Sequence, residues 1–342
     1  MDLRKTKGAT AAVVGAVALV AAGCGSSSSG SSTSAEGGGQ AVKAALLLYT
    51  INDYTSVEKE GVEKGLGEVG GEVAQTLSAN FNPQEESAQC QDAITSERFN
   101  VLIVDPVDSP SAVPCAQQAG AAGLKVIALE NPIGPSRTEV EPQLAEVQGS
   151  AIIEPLEDAE NTFKLVKSAC EGVSKCRWVA EIGTKSSPLD STKLKYFEEH
   201  VGEAPNIELT QVVEGKYDPG ETAKVTPDVL AADPDVDVYT FESDTNAVAA
   251  IPAVEAAGLQ GQVKLIGDGG SRAGVKAIAA GKMYGSVAAF PLTNGEVVAK
   301  MAIEALEGKA IAEPGVSMFS LGGPIDLTKA NVSRYTSQWG AE

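Results

Sequence analysis

The chain has 342 residues, with 26 Lys and Arg against 46 Asp and Glu, for a formal net charge of −20. That acidity repels phosphate backbones and argues against nucleic acid as a partner, while the length allows one large or two medium domains with sizeable cores. One histidine and five cysteines leave little for zinc or for serine–histidine catalysis.

In chain order, the first element is a leader. Arg4, Lys5 and Lys7 form a basic head, and Ala9 to Gly23 is an uncharged small and aliphatic run. The run is shorter than the ~20 apolar residues that span a bilayer, and its flanks suit a cleaved signal peptide. Ala21, Ala22 and Gly23 then lead into Cys24. This junction resembles the lipobox of bacterial lipoproteins, which implies that Cys24 is lipidated, becomes the mature terminus and anchors the protein to the membrane. An ordinary secretory signal cut near Ala22, or an uncleaved anchor, is the alternative. Residues 25–40 are almost entirely Ser and Gly, too polar to order themselves, and read as a flexible tether spanning on the order of 20 Å.

From Val42 short apolar runs alternate with helical patterns. "KAALLLY", "EVAQTLSA", "NVLIVD" and "KVIALE" read as strands, separated by the helical stretches "SVEKEGVEKGLGEVG", "NPQEESAQCQDAITSE" and "SPSAVPCAQQAGAAG". Continuous Val/Ile/Leu strands between helices predict a parallel sheet covered on both faces. Residues 131–150 read as irregular. A second cycle follows, with strands "RWVAEIG", "IELTQVV", "DVYTF", "VKLIG" and "YGSVAAF". Its helices are predicted over Asp190–Val201, Ala223–Ala232, Asp244–Ala257 and Ser271–Ala280. The fold class is α/β, two doubly wound parallel-sheet lobes with a cleft between them. Ligands of such sheets bind beyond the carboxyl ends of the strands, and those ends carry "TINDYTS", "DPVDS", "ENP", "GTKSS", "ESDTN" and "GDGGS".

Four cysteines remain beyond Cys24. In an oxidising compartment they invite pairing, with three possible connectivities. Cys170 and Cys176 flank the short loop "EGVSK" and can bridge if the chain turns there; the partners of Cys90 and Cys115 stay open at this point. Motifs for phosphate or dinucleotide binding and the GxSxG elbow are absent, so neither cofactor nor enzymatic activity is expected, and no metal site is called.

The segments "NVLIVDPVDSPSAVPCAQQAGAAGLKVIALENP", "DVYTFESDTNAVAAIPAVEAAGL" and "VKLIGDGGSRAGVKAIAAGKMYGSVAAFP" occur in an order that resembles the type I periplasmic binding proteins, specifically the ribose-binding-like solute receptors of ABC importers. The resemblance covers Val42 to about Ala310. It implies three crossings between lobes, with residues 41–149 and 291–312 in the first and 150–290 and 313–342 in the second, after a signal at 1–23 and a tether at 24–40. It places the helices holding Cys90 and Cys115 side by side, which makes a disulfide between them plausible; two buried free thiols are the alternative. It implies a small polar ligand, a sugar by preference, delivered to an ABC permease. The ligand positions it carries over are Asn52, Tyr54, Asp105, Glu130 and Asn131 in lobe one, and Tyr217, Ser243 and Asp268 in lobe two. There are departures: the family's arginine site falls on Ser191, with Lys193 nearby, and its late glutamine falls on Ala289. A LacI-like regulator shares the fold, but no DNA-binding leader is present. A coreceptor for chemotaxis or signalling, with a non-sugar polar ligand, remains the alternative.

Overall fold

The first strand, β1 (Lys43–Leu48), is buried from Ala44 onward, as a strand covered on both faces must be. The computed structural model describes residues 40–185 and 187–341; the expected signal, Cys24 and nearly all of the tether lie outside them. After β1 the chain alternates through α1 (Asp53–Gly67), β2 (Glu72–Ser78), α2 (Pro83–Thr95), β3 (Val101–Asp105), α3 (Val113–Ala121), β4 (Lys125–Glu130) and β5 (Val147–Ile152). The second lobe runs α4 (Pro155–Ala169), β6 (Cys176–Ile182), α5 (Pro188–His200), β7 (Ile207–Glu214), α6 (Pro219–Ala232) and β8 (Val238–Thr240). It continues through α7 (Asp244–Ala256), β9 (Lys264–Gly269), α8 (Arg272–Ala279) and β10 (Gly285–Ala288). The chain then returns as α9 (Pro291–Leu306) and ends with β11 (Gly315–Ser317) and β12 (Asp326–Thr328).

Two six-stranded sheets result, ordered β11-β5-β4-β3-β1-β2 and β12-β10-β9-β8-β6-β7. Pairing is parallel except where β12 runs antiparallel to β10. Each sheet changes winding direction beside its first strand, at β1/β3 and at β6/β8, and these switch points open a crevice at the carboxyl edge. Each sheet buries an apolar cluster on both faces, one of them holding Leu46, Ile103 and Val298 and its counterpart in the other lobe Phe163, Trp178 and Phe197.

Two features differ from the sequence reading. The expected boundary at 149/150 cuts through β5, which pairs with β4 throughout, and β11, expected in the second lobe, pairs with β5. The sheets therefore exchange the chain after Ile152, after Ala288 and between Ser317 and Asp326. β5 was hidden in the stretch read as irregular because Gln148, Gly149 and Ser150 interrupt its apolar pattern. Gly149 is needed there, since an added Cβ would lie 2.8 Å from the Met301 sulfur of α9. Helix α4 was also missed. Its buried face includes Asp158, Asn161 and Thr162 beside Phe163 and Val166, so the apolar stripe is diluted by polar residues.

Disulfides join Cys90 of α2 to Cys115 of α3, and Cys170 to Cys176 across the turn between α4 and β6. Helix α9 packs against α1 at van der Waals limits. A Cβ on Gly61 would stand 2.1 Å from the Leu292 carbonyl oxygen, and one on Gly295 2.1 Å from that of Glu58. This approach brings the fully buried Asn294 to Glu58, to which its Nδ2 donates at 3.3 Å.

Candidate functional site

The strand ends of the two lobes enclose a cavity of about 450 Å³, in the range of small-molecule sites. From lobe one come Asn52, Tyr54, Glu130 and Asn131; from lobe two come Tyr217, Ser243 and Asp268. Asp105 does not line the cavity. It is fully buried behind Asn131, whose Nδ2 donates to its Oδ1 at 3.0 Å.

Local structure explains each position. Asn52 caps α1, its side-chain oxygen accepting from the Tyr54 and Thr55 amides at 2.9 and 3.0 Å, so half of its carboxamide is spent on the helix. Ser243 caps α7 in the same way, accepting from the Asn246 amide at 3.2 Å. Tyr54 lies edge-on to Trp339 at 5.2 Å, and its hydroxyl donates to the Met318 sulfur at 3.2 Å. Tyr217 covers Gly183, where an added Cβ would meet the ring at 2.0 Å, and its hydroxyl donates to Asp190 Oδ2 at 2.9 Å. Glu130 ends β4 with a φ of 56°, a left-handed conformation unusual for a side chain of this size. That turn sends the next residue, Asn131, back toward Asp105.

Sequence reasoning overlooked several lining residues. Phe81 stacks on Tyr217 from the opposite lobe, with centroids 6.2 Å apart and planes within 12°. It stands on two successive left-handed residues, Asn80 and Phe81, at φ 50° and 58°. Tyr49 packs against Phe81 at 5.3 Å, and Trp339 arrives from the C-terminal segment, its indole donating to the Gly269 carbonyl. No periodicity marks these rings, because all three lie in loops. Tyr54 and Tyr217 thus each engage another ring across the cleft, so the lobes touch through two aromatic pairs.

The charges divide by lobe. In lobe two Lys193 lies between Asp158 at 2.9 Å and Asp268 at 2.5 Å, with all three largely buried. Burial alone would lower the lysine pKa, but the two carboxylates outweigh it and hold the ammonium charged. Lys193, noted only as standing near the expected arginine position, is the cation that neutralises this wall. In lobe one Glu58, Asp105 and Glu130 bring ligand-capable oxygens within 4.8 Å of one another, the one such group among the described residues whose donors converge enough for a cation. Desolvation raises all three carboxyls, Glu130 to about 7. A search confined to cysteine and histidine spacing could not find this trio, because α1, β3 and β4 contribute one residue each. The arrangement can clamp a ring between aromatic faces and bind its polar edge with carboxylates and amides.

The family profile described as periplasmic binding protein domain matches residues 44–310. The ribose import binding protein of Salmonella typhimurium is 25% identical over 270 residues, covering 78% of this chain and 86% of that protein. The D-xylose-binding periplasmic protein of Escherichia coli is 25% identical over 271 residues, 75% of this chain and 77% of its own. An ABC transporter solute binding protein from Mycobacterium smegmatis, solved with bound glycerol, shares the fold with a TM-score of 0.73 at 21% identity, covering 89% of this chain and 100% of that one. With two lobes, strand-end crevices facing one cavity and a profile spanning most of its length, the chain belongs to the periplasmic binding protein family.

Proposed function

We propose that this protein is the extracytoplasmic substrate-binding component of an ABC importer, capturing a small polyhydroxylated ligand between its lobes and presenting it to a permease. The observation that carries this reading is the cavity, built from the strand ends of both sheets and roofed by the Phe81–Tyr217 and Tyr54–Trp339 pairs. Ribose and xylose are the ligands named for the curated relatives, and a sugar suits a site with aromatic faces and carboxylate edges. Asn52, Tyr54, Glu130, Asn131, Tyr217, Ser243 and Asp268 are the proposed contacts, with Asp105 setting Asn131 from behind. Closure works by differential contact: a ligand touching both walls favours the shut form over the open one by the contacts the open form lacks. Binding, not turnover, is the proposed activity.

The test is calorimetry of the full-length protein against pentoses, hexoses and polyols. Saturable binding without chemical change of the ligand is expected; a ligand consumed by the protein alone would refute a pure receptor. The anchor is a separate element of the reading and rests on the sequence around Cys24 and the tether after it. Cys24→Ser is expected to move the protein from the membrane to the soluble fraction or leave its leader uncleaved. A mature N-terminus found anywhere other than a lipidated Cys24 would end the anchor.

A further inference from the structure

The cavity has a charge imbalance that neutral sugars leave uncorrected. Among the described residues lining it, six are carboxylates and none is lysine or arginine. Two of the six, Asp158 and Asp268, share Lys193, and a third, Asp108, pairs with Arg137 at 2.7 Å. Asp53, Glu130 and Glu242 form no ion pair among the described residues. Asp53 is exposed and Glu242 accepts from the Tyr217 amide at 3.1 Å and from Asn246 Nδ2 at 2.8 Å, whereas Glu130 gathers with the carboxyls of Glu58 and Asp105. Glu130 is 6% exposed; its Oε2 is sealed from solvent, and carboxyl–carboxyl hydrogen bonds link Glu130 to Glu58 and Asp105 behind it. Among the described residues, the side-chain amides serving this trio are Asn131 on Asp105 and Asn294 on Glu58.

The geometry points to a ligand that carries a protonated amine on a polyhydroxylated ring, an amino sugar or aminocyclitol, with the ammonium seated on Glu130. This inference rests on the sugar-receptor reading and deepens it. An ammonium offers three donors and a full positive charge to a cavity lined by six carboxylates and, among the described residues, by no lysine or arginine. Tyr49 and Phe81 line the same cavity and pack against each other at 5.3 Å, and aromatic faces also attract organic cations. A hard divalent metal fits less well. It takes six to eight oxygens and usually water, whereas Glu58 and Asp105 are sealed from the cavity.

The test uses matched trios on the unmodified full-length protein: D-glucosamine, D-glucose and N-acetyl-D-glucosamine, with the corresponding galactose and mannose trios, and calcium chloride alone. In at least one trio the amine is expected to bind about tenfold or more tighter than both counterparts, since a desolvated charge pair adds at least that much. Glu130→Gln is expected to bring the amine's affinity down to that of its hydroxyl counterpart in the same variant, because the amide keeps the shape and loses the charge. The preference is read on the parent, so the inference stands or falls even if the variant does not fold. Hydroxyl sugars binding as well as amines in every trio would overturn the amine and leave the sugar receptor standing. No binding by any member would overturn the amine, while the receptor reading falls only if pentoses and polyols also fail to bind. Calcium alone raising the melting temperature, with the effect lost in Glu130→Gln, would make the trio a metal site and overturn the amine.

Discussion

Lys193 shows how one residue can serve both the site and the fold. Its ammonium is held by Asp158 from α4 and Asp268 from β9, so it ties a helix to a strand directly beneath the cavity. Removing one side of a buried ion pair strands the other, and Lys193→Met is expected to cost roughly 3–5 kcal/mol in urea unfolding and to weaken ligand binding with it. Unchanged stability would mean that the two carboxylates find protons or water at little cost. Phe81 is the opposite case. It is 44% exposed and supports little core, yet it meets Tyr217 across the cleft. Phe81→Ala is expected to leave the unliganded melting temperature within about a degree while weakening ligand binding by about 1 kcal/mol, the worth of an aromatic pair beyond its area. Calorimetry on the first ligand identified separates the two residues.

The crossing of α1 and α9 shows the same economy at the level of elements. Gly61 and Gly295 let the helices approach until backbone meets backbone, and only at that distance does Asn294 reach Glu58 under the lobe-one wall. Gly61→Ala forces a Cβ to within 2.1 Å of a carbonyl oxygen, so α9 must move. The expected loss is about 1–3 kcal/mol of stability, the usual cost of overpacking, together with weaker ligand binding as Glu58 loses its amide. Gly67, in the last turn of the same helix, has open space where its Cβ would go. Gly67→Ala is therefore expected to stabilise by about 0.4–1 kcal/mol, by reducing the freedom of the unfolded chain. Equal responses at the two positions would argue that the helix crossing is looser than it is drawn.

Over the whole molecule, buried carboxyls set the pH response. Desolvation raises Glu86 to about 7, against a backbone hydrogen bond from Val107 that lowers it, and raises Asp244 to about 7. Glu58 and Asp105 are raised as well, again by burial first. In the unfolded chain these groups titrate near their ordinary values, 4.5 for Glu and 3.8 for Asp. A folded-state pKa above the unfolded one means that the stabilisation is complete below the unfolded value and fades as pH climbs toward 7. The unliganded protein is therefore expected to melt at higher temperature at pH 5 than at pH 8. Glu86 alone accounts for up to about 3 kcal/mol of that slope. Glu86→Gln is expected to flatten the decline, and a melting temperature that instead rises from pH 5 to pH 8 would contradict the assignment.

How much of this was legible beforehand depends on whether the signal is local. The alternation of buried strands with amphipathic helices is written in short windows, because each strand is covered on both faces and each helix on one; β1, β3 and β4 needed no tertiary information. Asn52, Ser243 and Asp268, which line the cavity, were singled out through the family resemblance, laid over polar strand-end segments that the sequence itself shows. β5 and α4 were not legible, because their burial is granted by partners far along the chain, Met301 of α9 and the polar face around Lys193. The same holds for the aromatic roof, where Phe81, Tyr49 and Trp339 lie in loops that follow no period. Sequence alone determined the α/β class and the two lobes, since composition and periodicity are properties of contiguous residues. Which carboxylates gather without a cation, and which rings meet across the cleft, only the tertiary structure decided, because those neighbours are up to 285 residues apart in the chain and are joined by packing alone.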